Sequence, residues 1–359
     1  MRNTGIALAL DMGDLKKALD QFNTALAMAT QSGNRRQAVQ AHLYLGETLW
    51  RLGQMEKARQ EFEAALAGAR ELRSSEDEWM ALYGLGRIFE KAGEQPQALE
   101  HYRNAMATIE SIRSRIGAAP LQAGFLANKR DVYDSMIGLL LESAIPQPGL
   151  VLRTIEGAKA RTFQDRIKKD PLKDATIASV AARLDAGTLL LDLWMGGEKS
   201  AAVWITRSGS GIARLQAPNT AELESFGNEL ANGTGDGWRA AAGRISDRLV
   251  APLTQQLSGA KQLVIVPDGP LQRIPFEALP VSGSPHSPLL IEKLAVSYVP
   301  SVSAIKPAAA SAARSLWPPW RRELVAFADP TLPPSKADSL VRSRLVSLPA
   351  SREEVRSIA

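Results

Sequence analysis

The first third of the chain repeats itself with a period of forty residues. Three glycines fall in register, and each is followed by a small, an aromatic, a second small and a large apolar position. The matched positions are Gly13, Gly53 and Gly93, then Ala18, Ala58 and Ala98, then Phe22, Phe62 and Tyr102, then Ala25, Ala65 and Ala105, and finally Leu26, Leu66 and Met106. Such a fixed period is the signature of a stacked repeat architecture.

Each unit is predicted to be a pair of helices around a glycine turn. In the second unit Ala41, Leu45 and Leu49 share one helical face before Gly53, and Phe62 lies on the face of the next helix. A single pair cannot bury its apolar face alone, so neighbouring pairs must stack. Small residues are expected where the helices approach closely.

This pattern resembles the tetratricopeptide repeat, with a period longer than is usual in that family. The resemblance implies an all-α superhelix at the N-terminus, with a concave surface that binds a protein or peptide partner. Two histidines, His42 and His101, lie on the repeat helices. We interpret them as packing or surface residues because neither has a metal-binding or catalytic companion nearby in the sequence.

The middle of the chain stays helical but loses the forty-residue register. We predict a repeat array over residues 1–112, a helical connector over 113–175 and an α/β domain over 176–359. Within the connector, IEGAKARTFQDRI places Glu156, Lys159, Arg161, Asp165 and Arg166 three to five residues from an opposite charge. That spacing is typical of ion pairs on a helix surface.

Short apolar runs with β-forming residues follow the connector. GTLLLDLWMG and SAAVWITRSGSGIARLQA predict hairpin strands, and Trp238 to Leu257 predicts a helix. KQLVIVPDG, LAVSYVPS and LVAFADP are continuous apolar runs typical of strands buried on both faces. Their alternation with helices or loops predicts an α/β sheet that is at least partly parallel.

The most patterned segment is VIVPDGPLQRIPFEALP, residues 264–280. A strand is predicted to end in a turn at Pro267, where Asp268 accepts local backbone hydrogen bonds. Gly269 is expected to adopt a conformation that is costly for other residues. Phe276 and Leu279 then return to the core. Nothing in this arrangement requires Asp268 to react, so we interpret it as a scaffold residue.

The succession of IEGAKARTFQD, VWITRSG, LVIVPDGPLQRIPFEAL, LAVSYVPSVSAI, LVAFADP and LPASREEV resembles the CHAT family, a caspase-like domain that commonly follows tetratricopeptide repeats. Its most specific part, PDG-x-L-x-x-x-PFEAL, is carried by Pro267, Asp268, Gly269, Leu271, Pro275, Phe276, Glu277, Ala278 and Leu279. The resemblance implies an α + α/β chain whose C-terminal part is an incomplete caspase-like sheet domain.

The resemblance also implies a cysteine peptidase. In the family a histidine in a His-Gly segment activates a cysteine, whose thiolate attacks the peptide carbonyl. Both positions follow LPASREEV in the family pattern, and the chain contains no cysteine. We therefore expect a chain truncated before the catalytic pair, with peptide-bond hydrolysis only when the downstream segment is present. The alternative is a non-catalytic adaptor built from repeats and a degenerate α/β module.

We assign no catalytic, cofactor-binding or metal residue within these 359 residues. His286 lies in a loop before a strand and is not promoted to the catalytic histidine. Ser258 with Lys261 and Ser303 with Lys306 match the S-x-x-K spacing of serine acylases, but the partner motifs S-D-N and K-T-G are missing. No cofactor is therefore expected.

Charge and hydropathy narrow the partners further. The net charge of +5 is interleaved along the chain, which gives no support to nucleic-acid binding. No apolar run reaches the length of a membrane span, and the N-terminus has no signal-peptide pattern. The sequence therefore predicts a cytoplasmic protein without a membrane partner, and it does not indicate the oligomeric state.

Overall fold

Helices of nearly equal length form the N-terminal part of the fold. The computed structural model describes residues 14–116, 125, 129–159, 175–197, 199–232 and 237–305. The repeat helices are α1 (Leu15–Gln31), α2 (Arg35–Arg51), α3 (Met55–Glu71), α4 (Ser75–Lys91) and α5 (Gln95–Ser114). They form the stacked helical hairpins that the forty-residue period predicts.

The turns between these helices recur at half the sequence period. Gly53 and Gly93 have φ of 75° and 78°, as the glycine register predicts, while Gly13 lies outside the described residues. Equivalent turns fall at Gly33, with φ of 67°, and at Arg73, with φ of 52°. Glycine takes this left-handed conformation without steric cost, whereas arginine does not. The helical hairpin is thus made of two halves with the same turn geometry.

Glycines on the helices let the repeats pack closely. A Cβ added to Gly46 would lie 2.8 Å from the Phe62 ring, and one added to Gly84 would lie 2.5 Å from the same ring. Gly86 is in the same relation to Tyr102, at 2.4 Å. The small and aromatic positions that recur in the sequence are therefore the two halves of one contact.

Two further helices continue the stack and lie against the sheet. They are α6 (Arg130–Glu142) and α7 (Pro148–Lys159), and α6 packs on α5. A single apolar core runs from Ala98 and Tyr102 on α5, through Met136 on α6 and Leu152 on α7, to Val264 in the sheet. Among the described residues, the connector region is therefore packed against both of its neighbours.

The α/β part is built on a mixed five-stranded sheet of order β3-β2-β1-β4-β5. The strands are β1 (Thr188–Met195), β2 (Ser200–Ile205), β3 (Ser210–Leu215), β4 (Gln262–Val266) and β5 (Ala295–Tyr298). Strands β1, β4 and β5 are parallel, and β1, β2 and β3 form an antiparallel meander. Two of the three predicted apolar strands are confirmed as β4 and β5, and LVAFADP lies outside the described residues.

Helices cover both faces of this sheet. One face packs on α6 and α7, and the other packs on helices that follow the meander. The remaining helices are α8 (Ile177–Ala181), α9 (Thr220–Asn232), α10 (Gly237–Leu249), α11 (Thr254–Leu257) and α12 (Leu290–Lys293). Burial on two faces explains why β1 and β4 are continuous apolar runs.

The fold class predicted from the sequence is confirmed: tetratricopeptide-like helical repeats precede an α/β part with a sheet that is partly parallel. The described residues all fall in one of the two compact units of the chain, residues 1–308. No helix among them combines the length and apolar character needed to cross a membrane. The predicted domain boundaries at 112 and 175 stay predictions.

Candidate functional site

Polar side chains gather where the parallel strands end. Asp192 lies on β1, Asp268 follows β4 and Ser301 follows β5, so the three lie at the same edge of the sheet. In α/β sheets, ligands bind at this carboxyl edge. Three residues of α6 and α7 reach the same edge. We call the set the carboxyl-edge cluster, and its members are Arg130, Glu156, Lys159, Asp192, Asp268 and Ser301.

Asp268 is held by an arginine far away in the sequence. Its two carboxylate oxygens accept from Nη1 and Nη2 of Arg130 at 3.0 and 2.5 Å, and Oδ2 also accepts from the backbone N–H of Met195 at 2.9 Å. Burial by itself would raise the pKa of Asp268, but the hydrogen bonds from Arg130 and the charge of Lys159 outweigh burial and lower the pKa below its usual value. Asp268 is therefore a buried, ionised carboxylate.

This pairing corrects one expectation. The sequence predicted that Asp268 accepts hydrogen bonds from backbone groups of its own turn, whereas its printed partners come from α6 and β1. The turn itself forms as predicted, because Gly269 has φ of 50°. Neither partner could be found from local spacing, since Arg130 lies 138 residues away.

Lys159 and Asp192 form a second buried ion pair. Lys159 Nζ lies 2.9 Å from Asp192 Oδ1 and also donates to the backbone carbonyls of Leu193 and Val266. The side chains are 6% and 0% exposed. Burial raises the pKa of Asp192 against the opposing charge of Lys159. Asp192 Oδ2 is buried and has no hydrogen-bond partner among the described residues.

Glu156 joins α7 to the segment after β5. It accepts from Ser301 Oγ at 2.5 Å and from the backbone N–H of Val302 at 3.4 Å. Burial, and next the negative charge of Asp192, raise the pKa of Glu156. The prediction that Glu156 and Lys159 form ion pairs on a helix surface is therefore wrong, because both side chains point into the protein. Arg161, Asp165 and Arg166 lie outside the described residues.

The N-terminal turn of α6 carries a supporting carboxylate. Asp134 accepts from Trp194 Nε1 at 2.6 Å and from Arg130 Nε at 3.2 Å. Arg130 also donates to the Met195 carbonyl at 3.2 Å. The guanidinium of Arg130 is thereby fixed from three sides, so its position relative to the sheet is set before any ligand is present.

The cluster joins two parts of the chain by complementary charge. Helices α6 and α7 supply both cations, and the sheet supplies Asp192 and Asp268. Buried ion pairs hold geometry tightly, because removal of one partner leaves an uncompensated charge. What this arrangement does chemically is fix strand ends relative to helices, since each cation is already committed to a carboxylate and to backbone carbonyls.

The other residues that the sequence singled out lie elsewhere. Ser258 Oγ donates to the Gln255 carbonyl, and Ser303 Oγ lies 2.8 Å from Ser301 Oγ, while Lys306 is outside the described residues. His286 is exposed in the loop before α12. In the described part of the chain, no group of His, Asp and Glu could hold a metal ion.

The repeat helices present a second candidate surface. Positions that lie forty residues apart on α2 and α4 form a stripe, which we call the inter-repeat stripe: Leu43, Glu47, Trp50, Tyr83, Arg87 and Glu90. Arg87 binds Glu47, and its guanidinium carbon lies 4.3 Å from the centroid of the Trp50 ring and 4.7 Å from that of Tyr83. This stripe therefore connects one repeat to the next.

Both repeat histidines have local partners. His42 Nδ1 lies 2.7 Å from Glu61 Oε2, and the His101 ring stacks on Phe89 with a centroid distance of 5.1 Å. Burial lowers the pKa of His101. These contacts agree with the packing role that we expected for the two histidines.

Sequence families agree with both halves of this structure. Residues 37–111 match the tetratricopeptide repeat family, and residues 239–359 match the CHAT domain family. The fold and the cluster define a protein in which helical repeats are built onto an α/β module. More particularly, the chain combines tetratricopeptide repeats with a CHAT domain.

Known proteins with similar structures include two repeat proteins. BtubC (BKLC) from P. vanneervenii is 20% identical, with a TM-score of 0.30, over 45% of this chain and 74% of that chain. A putative kinesin light chain from Podosopora anserina with nearly identical TPR-like repeats is 13% identical, with a TM-score of 0.31, over 48% and 89%. No curated protein matches the sequence.

Proposed function

We propose that this protein is a protein-binding repeat scaffold joined to the N-terminal part of a CHAT peptidase domain. The observation that carries the proposal is the presence of both family matches in one chain. Stacked repeats offer an extended surface for a protein or peptide partner. The α/β module then holds that partner at a fixed distance from the CHAT chemistry.

The inter-repeat stripe supports the first half of this proposal. Positions that pack the repeats together are alike in successive units, as Phe62 and Tyr102 are. Positions on the stripe differ: Glu47 corresponds to Arg87, and Trp50 corresponds to Glu90. Aromatic and arginine side chains dominate the binding energy of protein interfaces. A surface whose residues vary while its frame is kept is suited to recognition, and we propose it as the concave partner-binding face.

A peptide-display selection against the 359-residue chain tests this surface. We expect selected peptides to lose at least about tenfold in affinity when Trp50→Ala is introduced, because a hot-spot aromatic side chain contributes more than 1 kcal/mol. Arg103→Ala, on the exposed face of α5, is the matched control and should bind normally. Equal binding to the wild-type and Trp50→Ala chains would refute the proposed face.

The proposed chemistry is peptide-bond hydrolysis by a cysteine peptidase. These 359 residues contain no cysteine, so the nucleophile has to come from a segment beyond them. The encoding locus tests this directly. A frame that continues past codon 359 into a His-Gly segment, and then a strand leading to a cysteine, supports the peptidase. The longer chain should cleave a casein substrate and lose that activity after alkylation by iodoacetamide.

A non-catalytic adaptor is the second candidate. It is favoured by the carboxyl-edge cluster, in which Arg130 and Lys159 are bound to Asp268 and Asp192 and leave neither cation for a substrate. We propose that Asp268 is a scaffold residue in either case. A stop codon directly after residue 359, together with partner capture and no cleavage, would establish the adaptor. We place the protein in the cytoplasm under both proposals.

A further inference from the structure

A small cleft opens at the end of the antiparallel meander. It is lined by the last turn of α6, the start of β2 and the end of β3, through Leu141, Glu142, Lys199, Ser200, Arg214 and Leu215. Its volume is about 310 Å³, at the lower end of the range for small-molecule sites. Ser200 and Leu215 face each other in the β2–β3 register. We call this space the meander cleft.

The charges that line the meander cleft favour an anion. Lys199 and Arg214 carry two positive charges, and Glu142 carries one negative charge. Lys199 Nζ pairs with Glu142 at 2.5 Å, but both side chains are about half exposed, and exposed ion pairs are easily displaced. Arg214 donates one N–H to the Leu141 carbonyl at 2.5 Å, and a guanidinium has five such donors.

Ser200 supplies an independent indication of a ligand. The residue is 3% exposed, and its hydroxyl has no hydrogen-bond partner among the described residues. A buried hydroxyl without a partner is destabilising, and most positions of this kind are occupied by alanine or satisfied by a neighbour. A ligand oxygen in the meander cleft would satisfy the hydroxyl.

We propose that the meander cleft binds a small organic anion, a carboxylate or a phosphate ester with an apolar body. Arg214 and Lys199 bind the anionic group, and the Ser200 hydroxyl donates to one of its oxygens. Leu141 and Leu215 contact the apolar body of the ligand. This site is separate from the inter-repeat stripe and from the segment that would carry a peptidase nucleophile.

Ligand-observed NMR with the 359-residue chain tests the site. The probes are benzoate, phenyl phosphate and neutral benzamide, which share one ring. We expect at least one anion to bind with a Kd of about 1 mM or tighter and benzamide at least about tenfold more weakly. The tighter of the two anions identifies the carboxylate or the phosphate as the preferred group. Absence of anion binding at about 10 mM, or equal binding of benzamide, would overturn the proposal.

Two substitutions separate this site from adventitious binding. Arg214→Met should weaken the bound anion at least about tenfold, whereas Arg207→Met, in the β2–β3 turn, should leave its affinity unchanged. Ser200→Ala should weaken the anion several-fold while the melting temperature of the free protein stays the same or rises, because the substitution removes an unsatisfied hydroxyl. Unchanged anion affinity in Ser200→Ala together with a lower melting temperature would mean that Ser200 serves the fold alone.

Discussion

Single residues of the repeats carry backbone strain that the sequence period reveals. Arg73 has φ of 52° at a turn where the equivalent positions in the array are glycines. Arg73→Gly should therefore stabilise the protein by about 1 kcal/mol. The matched substitution Gly53→Arg should destabilise it by a similar amount, and a Cβ at Gly53 meets no atom within 4 Å, so only the backbone is changed. Urea midpoints measure both, and a less stable Arg73→Gly variant would contradict the argument.

Glu156 makes stability depend on pH. Its pKa is raised to about 8 from the model-compound value of 4.5, so the folded protein keeps a proton that the unfolded chain loses. Stability should then fall as pH rises between those two values, with a slope of up to about 1.4 kcal/mol per pH unit, and level off above them. Asp192, whose pKa is also raised, contributes in the same direction.

Glu156→Gln tests this dependence because it removes the ionisation and keeps an acceptor for Ser301. Urea midpoints at about pH 5, 6.5 and 8 should decline less in the variant than in the wild type. Glu224→Gln, on the exposed face of α9, is the control and should keep the wild-type decline. A Glu156→Gln decline as steep as that of the wild type would assign the pH dependence to other groups.

At the scale of helices, the repeat contact depends on missing side chains. Gly84 and the Phe62 ring leave no room for a methyl group, so Gly84→Ala should destabilise the array by about 1–3 kcal/mol. Gly227→Ala makes the same substitution in α9, where no atom lies within 4 Å, and should stabilise by about 0.5–1 kcal/mol. Adding Phe62→Leu should restore part of the stability lost in Gly84→Ala. Chemical denaturation followed by circular dichroism measures all three.

These helices and strands show what a sequence can and cannot predict. The repeat contacts were predictable because Gly53, Phe62 and their equivalents recur at a fixed period. Strands β4 and β5 were predictable because burial on two faces produces short apolar runs. Glu156 and Lys159 were not, because their charge spacing matches that of an exposed helix, and only the packing of α7 on the sheet buries them.

For the whole molecule, the described helices and the sheet should unfold together. One apolar core passes from α5 through α6 and α7 into the sheet, and two buried ion pairs cross the same boundary. Arg130→Met would leave Asp268 as an unpaired buried charge, which costs about 3–5 kcal/mol. The cost should fall on the contact between the helices and the sheet, since Arg130 has no partner within the repeats among its printed contacts.

A double-mutant cycle tests that coupling. Arg130→Met and Asp268→Asn together should cost less than the sum of the single variants, by about 0.5–3 kcal/mol, because the double variant leaves neither charge unpaired. Arg59→Met combined with Asp268→Asn is the control pair and should be additive, since Arg59 pairs with Glu63 on the surface of α3. Guanidinium unfolding followed by circular dichroism and by tryptophan fluorescence provides the free energies. Strict additivity for Arg130 and Asp268, with coincident transitions in every variant, would mean that the apolar core alone holds the helices to the sheet.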